Sequence, residues 1–217
     1  MNAGMDNPQS AIRNPQSKPI LGLIGGIGSG KSLVSAEFAK HGGLLISGDA
    51  LGHEALRQPD LMARVVERWG QEIVGADGSI NRRALGKKVF AAASERKELE
   101  GIVFPYIERR IREEIAAAQE TPAVRFVVLD AAVMLEAGWN NVCDWLVYVD
   151  VPRDVRVQRL AENRGWTEKE LAAREAAQMP LTQKQQRADF TIDNGGAVEQ
   201  TVRQVQQLLT KLRLGSP

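Results

Sequence analysis

Ile20-Leu-Gly-Leu-Ile24, Gly25-Gly-Ile-Gly-Ser-Gly-Lys31-Ser32 and Leu33-Val-Ser-Ala-Glu-Phe-Ala-Lys40 follow one another directly. They read as an apolar strand, a G-x-x-x-x-G-K-S loop and a helix. Successive backbone N–H groups can surround a phosphate only if the loop carries almost no side chains on its concave side, which accounts for Gly25, Gly28 and Gly30. A helix starting near Gly30 adds unpaired N–H groups and the positive end of its dipole. Lys31 then reaches the β- and γ-phosphates, and the Ser32 hydroxyl is a ligand for Mg²⁺. The nucleotide-binding set is therefore Gly26, Ile27, Gly28, Ser29, Gly30, Lys31, Ser32 and Leu33, with a nucleoside triphosphate as the ligand. A dinucleotide-binding fingerprint has no Lys-Ser at this point and needs an acid closing a second strand, which does not occur here in the expected way.

Working outward, Arg125-Phe-Val-Val-Leu-Asp130 and Trp145-Leu-Val-Tyr-Val-Asp150 are apolar runs that each end in an acid, as buried parallel strands do. Shorter candidates are Leu44–Ser47 and Phe190–Ile192. Helical patterns at Ser32–His41, Pro105–Ala118, Pro152–Asn163 and Ala197–Leu212 lie between them. Strand and helix alternate, so the expected fold is α/β, a three-layer doubly wound sheet of five parallel strands with ligand at the strands' carboxyl ends. The expected division is a leader at 1–19 and a single domain at 20–214. Its core comprises 20–50, 119–151 and 188–214, with a helical insert at 51–118 and a helical lid at 152–187. Breaks in the insert are expected at Pro59, at Gly70 and at Ala76-Asp-Gly-Ser79.

The chain has 217 residues, 43% of them hydrophobic, enough for one α/β domain with a substantial core. Lys and Arg number 28 against 27 Asp and Glu, a net charge of +1, so no global field calls for nucleic acid or a membrane surface. The single Cys143 excludes an internal disulfide and a cysteine-cluster metal site, and its expected role is structural. No apolar run approaches the ~20 residues of a membrane span, and the first 19 residues lack a secretory apolar region, which points to the cytoplasm. That leader repeats Asn-Pro-Gln-Ser at 7–10 and 14–17 and is expected to be disordered, with Met5 as an alternative start.

A phosphate loop alone does not choose between motor, switch and kinase. The chain has no Asn-Lys-x-Asp guanine-reading segment and no transporter signature, and it is short for a ring ATPase. Its second excursion carries Arg153, Arg156, Arg159, Arg164, Arg174, Lys184 and Arg187, read either as a lid that delivers positive charge on closure or as an ordinary solvated face. A small-molecule kinase also needs an acid beside the acceptor hydroxyl. Asp49, just past the second strand, is the candidate, with a helix N-cap as the competing reading. Asp130 ends its strand where a Mg²⁺-coordinating acid belongs, against simple capping. Glu136 either orients that metal shell or pairs with an arginine. Trp69, Trp139, Trp145 and Trp166 are expected to anchor the core or an interface, and none is assigned to the ligand.

These residues resemble the dephospho-coenzyme A kinase family from Ile20 to about Leu209. The similarity is carried by Leu23-Ile-Gly-Gly-Ile-Gly-Ser-Gly-Lys-Ser32, Ser47-Gly-Asp49, Asp77-Gly-Ser-Ile-Asn-Arg82 and Asp130 through Glu136-Ala-Gly138. Gln158-Arg-Leu160, Arg164, Arg174, Ala177-Gln-Met-Pro180, Lys184 and Ala188-Asp-Phe-Thr-Ile-Asp-Asn194 continue it. The resemblance implies a P-loop kinase with an acceptor-binding helical insert, using ATP and Mg²⁺ to phosphorylate the ribose 3′-hydroxyl of dephospho-coenzyme A. It implies that Lys31, Asp49, Arg159 and Arg164 are catalytic, that Ser32 and Asp130 hold the metal, and that Asn194 and Gly195 lie near the adenine. The implied partners are ATP and dephospho-coenzyme A, with no nucleic acid and no membrane, and the chain is expected to be a monomer or a weak homo-oligomer. Leu33 stands where the family usually has Thr, at a cost of about 1 kcal/mol for one lost phosphate contact. Ser47 replaces a common Asp, Phe104 a common His, and Ala132 and Leu135 a common Pro and Phe. His53, a helix-surface residue, is a poor substitute for the missing His. The alternatives are a nucleoside-monophosphate kinase, and a nucleotide-binding regulator whose chemistry has lapsed through the changes at Ser47 and Phe104; retention of Lys31, Ser32 and Asp49 argues against the second.

Overall fold

The computed structural model describes residues 17–214. Strands β1 (Ile20–Gly25), β2 (Gly43–Ser47), β3 (Phe126–Asp130), β4 (Trp145–Asp150) and β5 (Phe190–Asp193) form one sheet in the order β2-β3-β1-β4-β5. Every neighbouring pair is parallel. The helices are α1 (Lys31–Lys40), α2 (Gly48–Ala55), α3 (Pro59–Trp69), α4 (Arg82–Val89), α5 (Ala93–Glu120), α6 (Arg153–Arg164), α7 (Glu168–Glu175), α8 (Leu181–Gln186) and α9 (Val198–Lys211).

The apolar runs are continuous because both sheet faces are covered. Leu21, Leu23, Phe126, Val128, Val147 and Val149 turn to one face, against Val34 and Phe38 of α1 and Val205 and Leu209 of α9. The alternate residues Ile24, Ile46, Val127, Leu129 and Tyr148 turn to the other, where Leu51, Val65, Leu85 and Ile107 of α2 to α5 meet them. The insert therefore shares one core with the sheet. Gly22 is required where β1 passes under the second layer, since a Cβ there would lie 2.7 Å from Leu146 and 2.8 Å from the Cys143 sulfur. Cys143 has the structural role expected of it: burial pushes its thiol up to about 12.

Two boundaries differ from the sequence reading. Pro105 does not open a helix but lies inside α5, which starts at Ala93. Proline removes one backbone donor, yet the helix continues because Ile102, Val103, Ile107 and Ile111 bury one side of it across that point. The breaks expected in the insert are present: Pro59 opens α3 after α2 has ended at Ala55, Gly70, at φ 85°, ends α3, and residues 76–79 form the turn before α4. Finally, Lys18 and Pro19 belong to the ordered body. Lys18 donates from Nζ to the carbonyls of Ala118 and Thr121 at 2.8 and 2.5 Å, and the Pro19 carbonyl accepts from Val127 N at 2.7 Å. The rest of the expected leader, residues 1–16 with Met5, lies outside the described residues.

The topology fixes the site. β1 is central and its neighbours β3 and β4 lead in different directions along the sheet, so a crevice opens at the carboxyl end of β1. The register places Asp130 beside both Leu23 and Ser47, bringing the ends of β1, β2 and β3 to one rim.

Candidate active site

The loop between β1 and α1 has the backbone that its glycines permit. Gly28 and Gly30 sit at φ 79° and 75°, in the left-handed region. A Cβ on Gly30 would lie 2.4 Å from Asn194 Nδ2, and one on Gly28 3.0 Å from Leu160. Gly30 caps α1 without a side-chain bond, and of the first three N–H groups only that of Leu33 is taken, by the Gly30 carbonyl at 3.0 Å. The buried Ser29 hydroxyl has no hydrogen-bond partner. A side-chain-free cradle with an orphaned buried hydroxyl fits an anionic ligand carrying several acceptor oxygens.

Beside the cradle is a cavity of about 450 Å³ lined by Lys31, Ser32, Asp49, Asp130, Arg159 and Arg164, among others. Lys31 Nζ is 3.9 Å from Asp130 Oδ1. Burial holds the Asp130 carboxyl above its ordinary range; Lys31 opposes this and the nearby Asp49 charge adds to it. Two carboxylates and a hydroxyl around a partly desolvated space suit a divalent cation that keeps waters and takes phosphate oxygens. Among the described residues no group of three or more His, Cys, Asp or Glu forms a cage for a metal, and Mg²⁺ bound with ATP needs none.

Asp49 is not the N-cap. Ser47 takes that position on α2, its Oγ accepting from Ala50 N at 3.2 Å, which leaves the Asp49 carboxylate exposed in the first turn. The residue that departs from the family's usual Asp therefore caps the helix, and the remaining acid faces the crevice.

A second cavity, of about 560 Å³, adjoins the first and shares Gly28, Lys31, Asp49, Ala132 and Arg164 with it. It extends between the insert, at Val89, Phe90, Leu99, Val103 and Phe104, and the lid, at Trp166, Arg174 and Ala177. The Arg174 guanidinium lies 4.1 Å from the Trp166 ring centre and 5.2 Å from that of Phe90. Trp166 thus lines the second cavity. Phe104 lines the same cavity and meets Trp139 edge-on at 5.0 Å. His53 is a surface residue of α2 as expected, yet it also borders this cavity; partial burial and the Arg82 guanidinium hold its ring below the ordinary histidine range.

The arginine set of the lid divides. Arg159 and Arg164 reach the first cavity and Arg174 the second, while Arg153 pairs with Glu168. Arg156 and Lys184 are buried, at 3% and 1% exposure, and line neither cavity. Lys184 Nζ donates to the Ala132 carbonyl at 2.7 Å and to Glu136 at 3.0 Å, so the partner of Glu136 is a lysine where an arginine was considered. The signal for Arg156 was its position four residues before the apolar Leu160, on the same face of α6.

Asn194 sits against the base of the phosphate loop. Its Nδ2 donates to the Ser29 carbonyl at 2.8 Å and its Oδ1 accepts from Thr201 at 2.9 Å, so the buried carboxamide props the phosphate loop from beneath and is spent there. Its backbone carbonyl accepts from Arg159 at 2.9 Å. Gly195 and Leu33 line neither cavity, and Ile27 borders only the second.

Comparison with known proteins agrees with this architecture. The family model CoaE, dephospho-CoA kinase, matches residues 19–200. A curated dephospho-CoA kinase of Syntrophotalea carbinolica is 39% identical over 194 residues, covering 89% of this chain and 92% of that relative. A crystal structure from Thermus thermophilus matches with a TM-score of 0.75 at 32% identity, over 90% of this chain and 98% of that one. The dephospho-CoA kinase of Campylobacter jejuni shares the fold, with a TM-score of 0.66 at 20% identity over 89% and 96% of the two chains. With a family model spanning most of its length and a relative of this identity over nearly all of both sequences, the chain belongs to the dephospho-CoA kinase family.

Proposed function

We propose that the protein transfers the γ-phosphoryl group of ATP to the ribose 3′-hydroxyl of dephospho-coenzyme A, giving coenzyme A and ADP, with ATP in the first cavity and the acceptor in the second. The observation that carries this reading is that Lys31 and Asp49 stand on the wall common to both cavities, where a donor phosphate and an acceptor hydroxyl would meet. The acceptor oxygen forms a bond to the γ-phosphorus as the bond to the β,γ-bridging oxygen breaks. Asp49 orients the hydroxyl and takes its proton; Lys31 neutralises charge growing on the bridging oxygen. Arg164, at the junction of the cavities, and Arg159 beside the loop supply further positive charge to the transferring group.

Ser32 and Asp130 would hold Mg²⁺, which would supply positive charge to neutralise the phosphates. Asn194 supports the cradle through Ser29 and is given no adenine contact. The apolar wall from Val89 to Phe104 suits the uncharged arm of the acceptor, and Arg164 and Arg174 suit its diphosphate. No helix among the described residues is long and apolar enough to cross a membrane. The proposal places the enzyme in the cytoplasm, as a monomer or weak homo-oligomer. The test is ADP formation from ATP and Mg²⁺. It is expected only when dephospho-coenzyme A is present, whereas equal turnover with nucleoside monophosphates would assign the second cavity to a different acceptor.

A further inference from the structure

Arg156 is a nearly buried guanidinium that lines neither large cavity. An arginine so placed persists only if its donors are satisfied. Its Nε donates to the Val151 carbonyl at 3.3 Å, just past β4. Its Nη1 donates to the Ile27 carbonyl at 3.1 Å and to Glu175 Oε1 at 2.5 Å. One side chain therefore ties the end of a core strand, the phosphate loop and the last residue of α7.

Each tie has a consequence at a cavity. The peptide between Ile27 and Gly28 is planar and trans, so its carbonyl and its N–H point in opposite directions. With the Ile27 carbonyl held toward Arg156, the Gly28 N–H is turned away from α6, and Gly28 lines both cavities. On the other side, Glu175 follows Arg174, the residue stacked between Trp166 and Phe90 on the second cavity. α7 is a short helix that docks through Leu171 and is held at its start by the pair between Arg153 and Glu168. Its far end is held at Glu175, closely by Arg156 and more loosely by Arg153, whose Nε lies 3.7 Å away.

We propose that Arg156 is a positioning residue that couples the two substrate sites, setting the Gly28 peptide through Ile27 and the placement of Arg174 through Glu175. This rests on the reading that the acceptor occupies the second cavity. Nucleotide on the phosphate loop favours the Arg156 position that also holds α7, so it tightens acceptor binding, and by linkage the acceptor tightens nucleotide binding by the same factor.

The experiment measures calorimetric dissociation constants for dephospho-coenzyme A in the full chain, with and without β,γ-imido-ATP and Mg²⁺. In the wild type the analogue is expected to tighten acceptor binding about fivefold or more. Glu175→Gln, which keeps the side chain's size and loses its charge, should abolish most of that tightening while leaving the affinity for the analogue alone unchanged. Arg156→Lys, which cannot serve three acceptors from one planar fork, should also abolish it, and the double variant should be no worse than Arg156→Lys. A purely structural role would lower Tm or weaken both ligands equally without changing their coupling. Tightening that persists in either folded variant, or is absent from the wild type, overturns the proposal. A wild type that does not bind dephospho-coenzyme A refutes the acceptor reading itself.

Discussion

Asp130 carries a charge in a place that disfavours it. Burial raises its pKa by more than Lys31, 3.9 Å away, lowers it. A carboxyl whose pKa rises on folding costs stability once the pH exceeds its unfolded value, and the full cost is present above the folded one. Asp130→Asn should therefore raise Tm at neutral pH, with the gap to wild type closing as acid protonates the native carboxyl, while turnover falls. A lowered Tm across the pH range would mean that the ion pair with Lys31 outweighs desolvation. Most of this scale was legible in the sequence: G-x-x-x-x-G-K-S admits few alternatives, and Asp130 and Asp49 each follow a strand that could be read from its apolar run. Asn194 was not legible, because an exposed ligand contact and a buried prop use the same carboxamide; only the bonds to Ser29 and Thr201 distinguish them.

At the scale of elements, the lid is less a charged flap than a set of short helices pinned by buried cations. Lys184, on α8, is 1% exposed, and burial holds it below the ordinary lysine range even with Glu136 beside it. Lys184→Met would strand the Glu136 carboxylate and the Ala132 carbonyl. Breaking a buried pair in this way costs about 3 kcal/mol, toward the lower end of the usual range because Glu136 is only partly buried. Adding Glu136→Gln should recover part of the loss, since the amide oxygen still accepts from Met179 N. Urea midpoints check both; a single variant as stable as wild type would show that the pair does not anchor α8. Sequence patterning marked the basic residues of this region but gave a direction only for Arg156, one turn before the apolar Leu160 on α6, because α7 and α8 are too short for a period to separate a buried face from a solvated one. α5 shows the converse: a proline inside a long helix reads as a boundary until the packing that spans it is visible.

For the whole molecule, parallel order and the central position of β1 bring one rim together from β1, β2 and β3, and the insert and lid complete it from opposite sides. The doubly wound fold followed from alternating apolar strands and helices, whereas the second cavity did not, being formed by side chains far apart in sequence, such as Phe90 and Trp166. In the proposed reaction, phosphoryl transfer occurs at the wall between the cavities, with Asp49 addressing the acceptor. Since Ser47 already caps α2, Asp49→Asn should leave the helix and ATP binding intact while removing the base. General-base catalysis is worth about 10²- to 10⁴-fold, and a loose phosphoryl-transfer transition state places this case near the lower end. The decisive measurement is kcat together with the ATP Kd for Asp49→Asn. A fall in kcat of about 10²-fold with the Kd unchanged is the predicted result, whereas an unchanged kcat, or lost ATP affinity with turnover retained, would contradict the account.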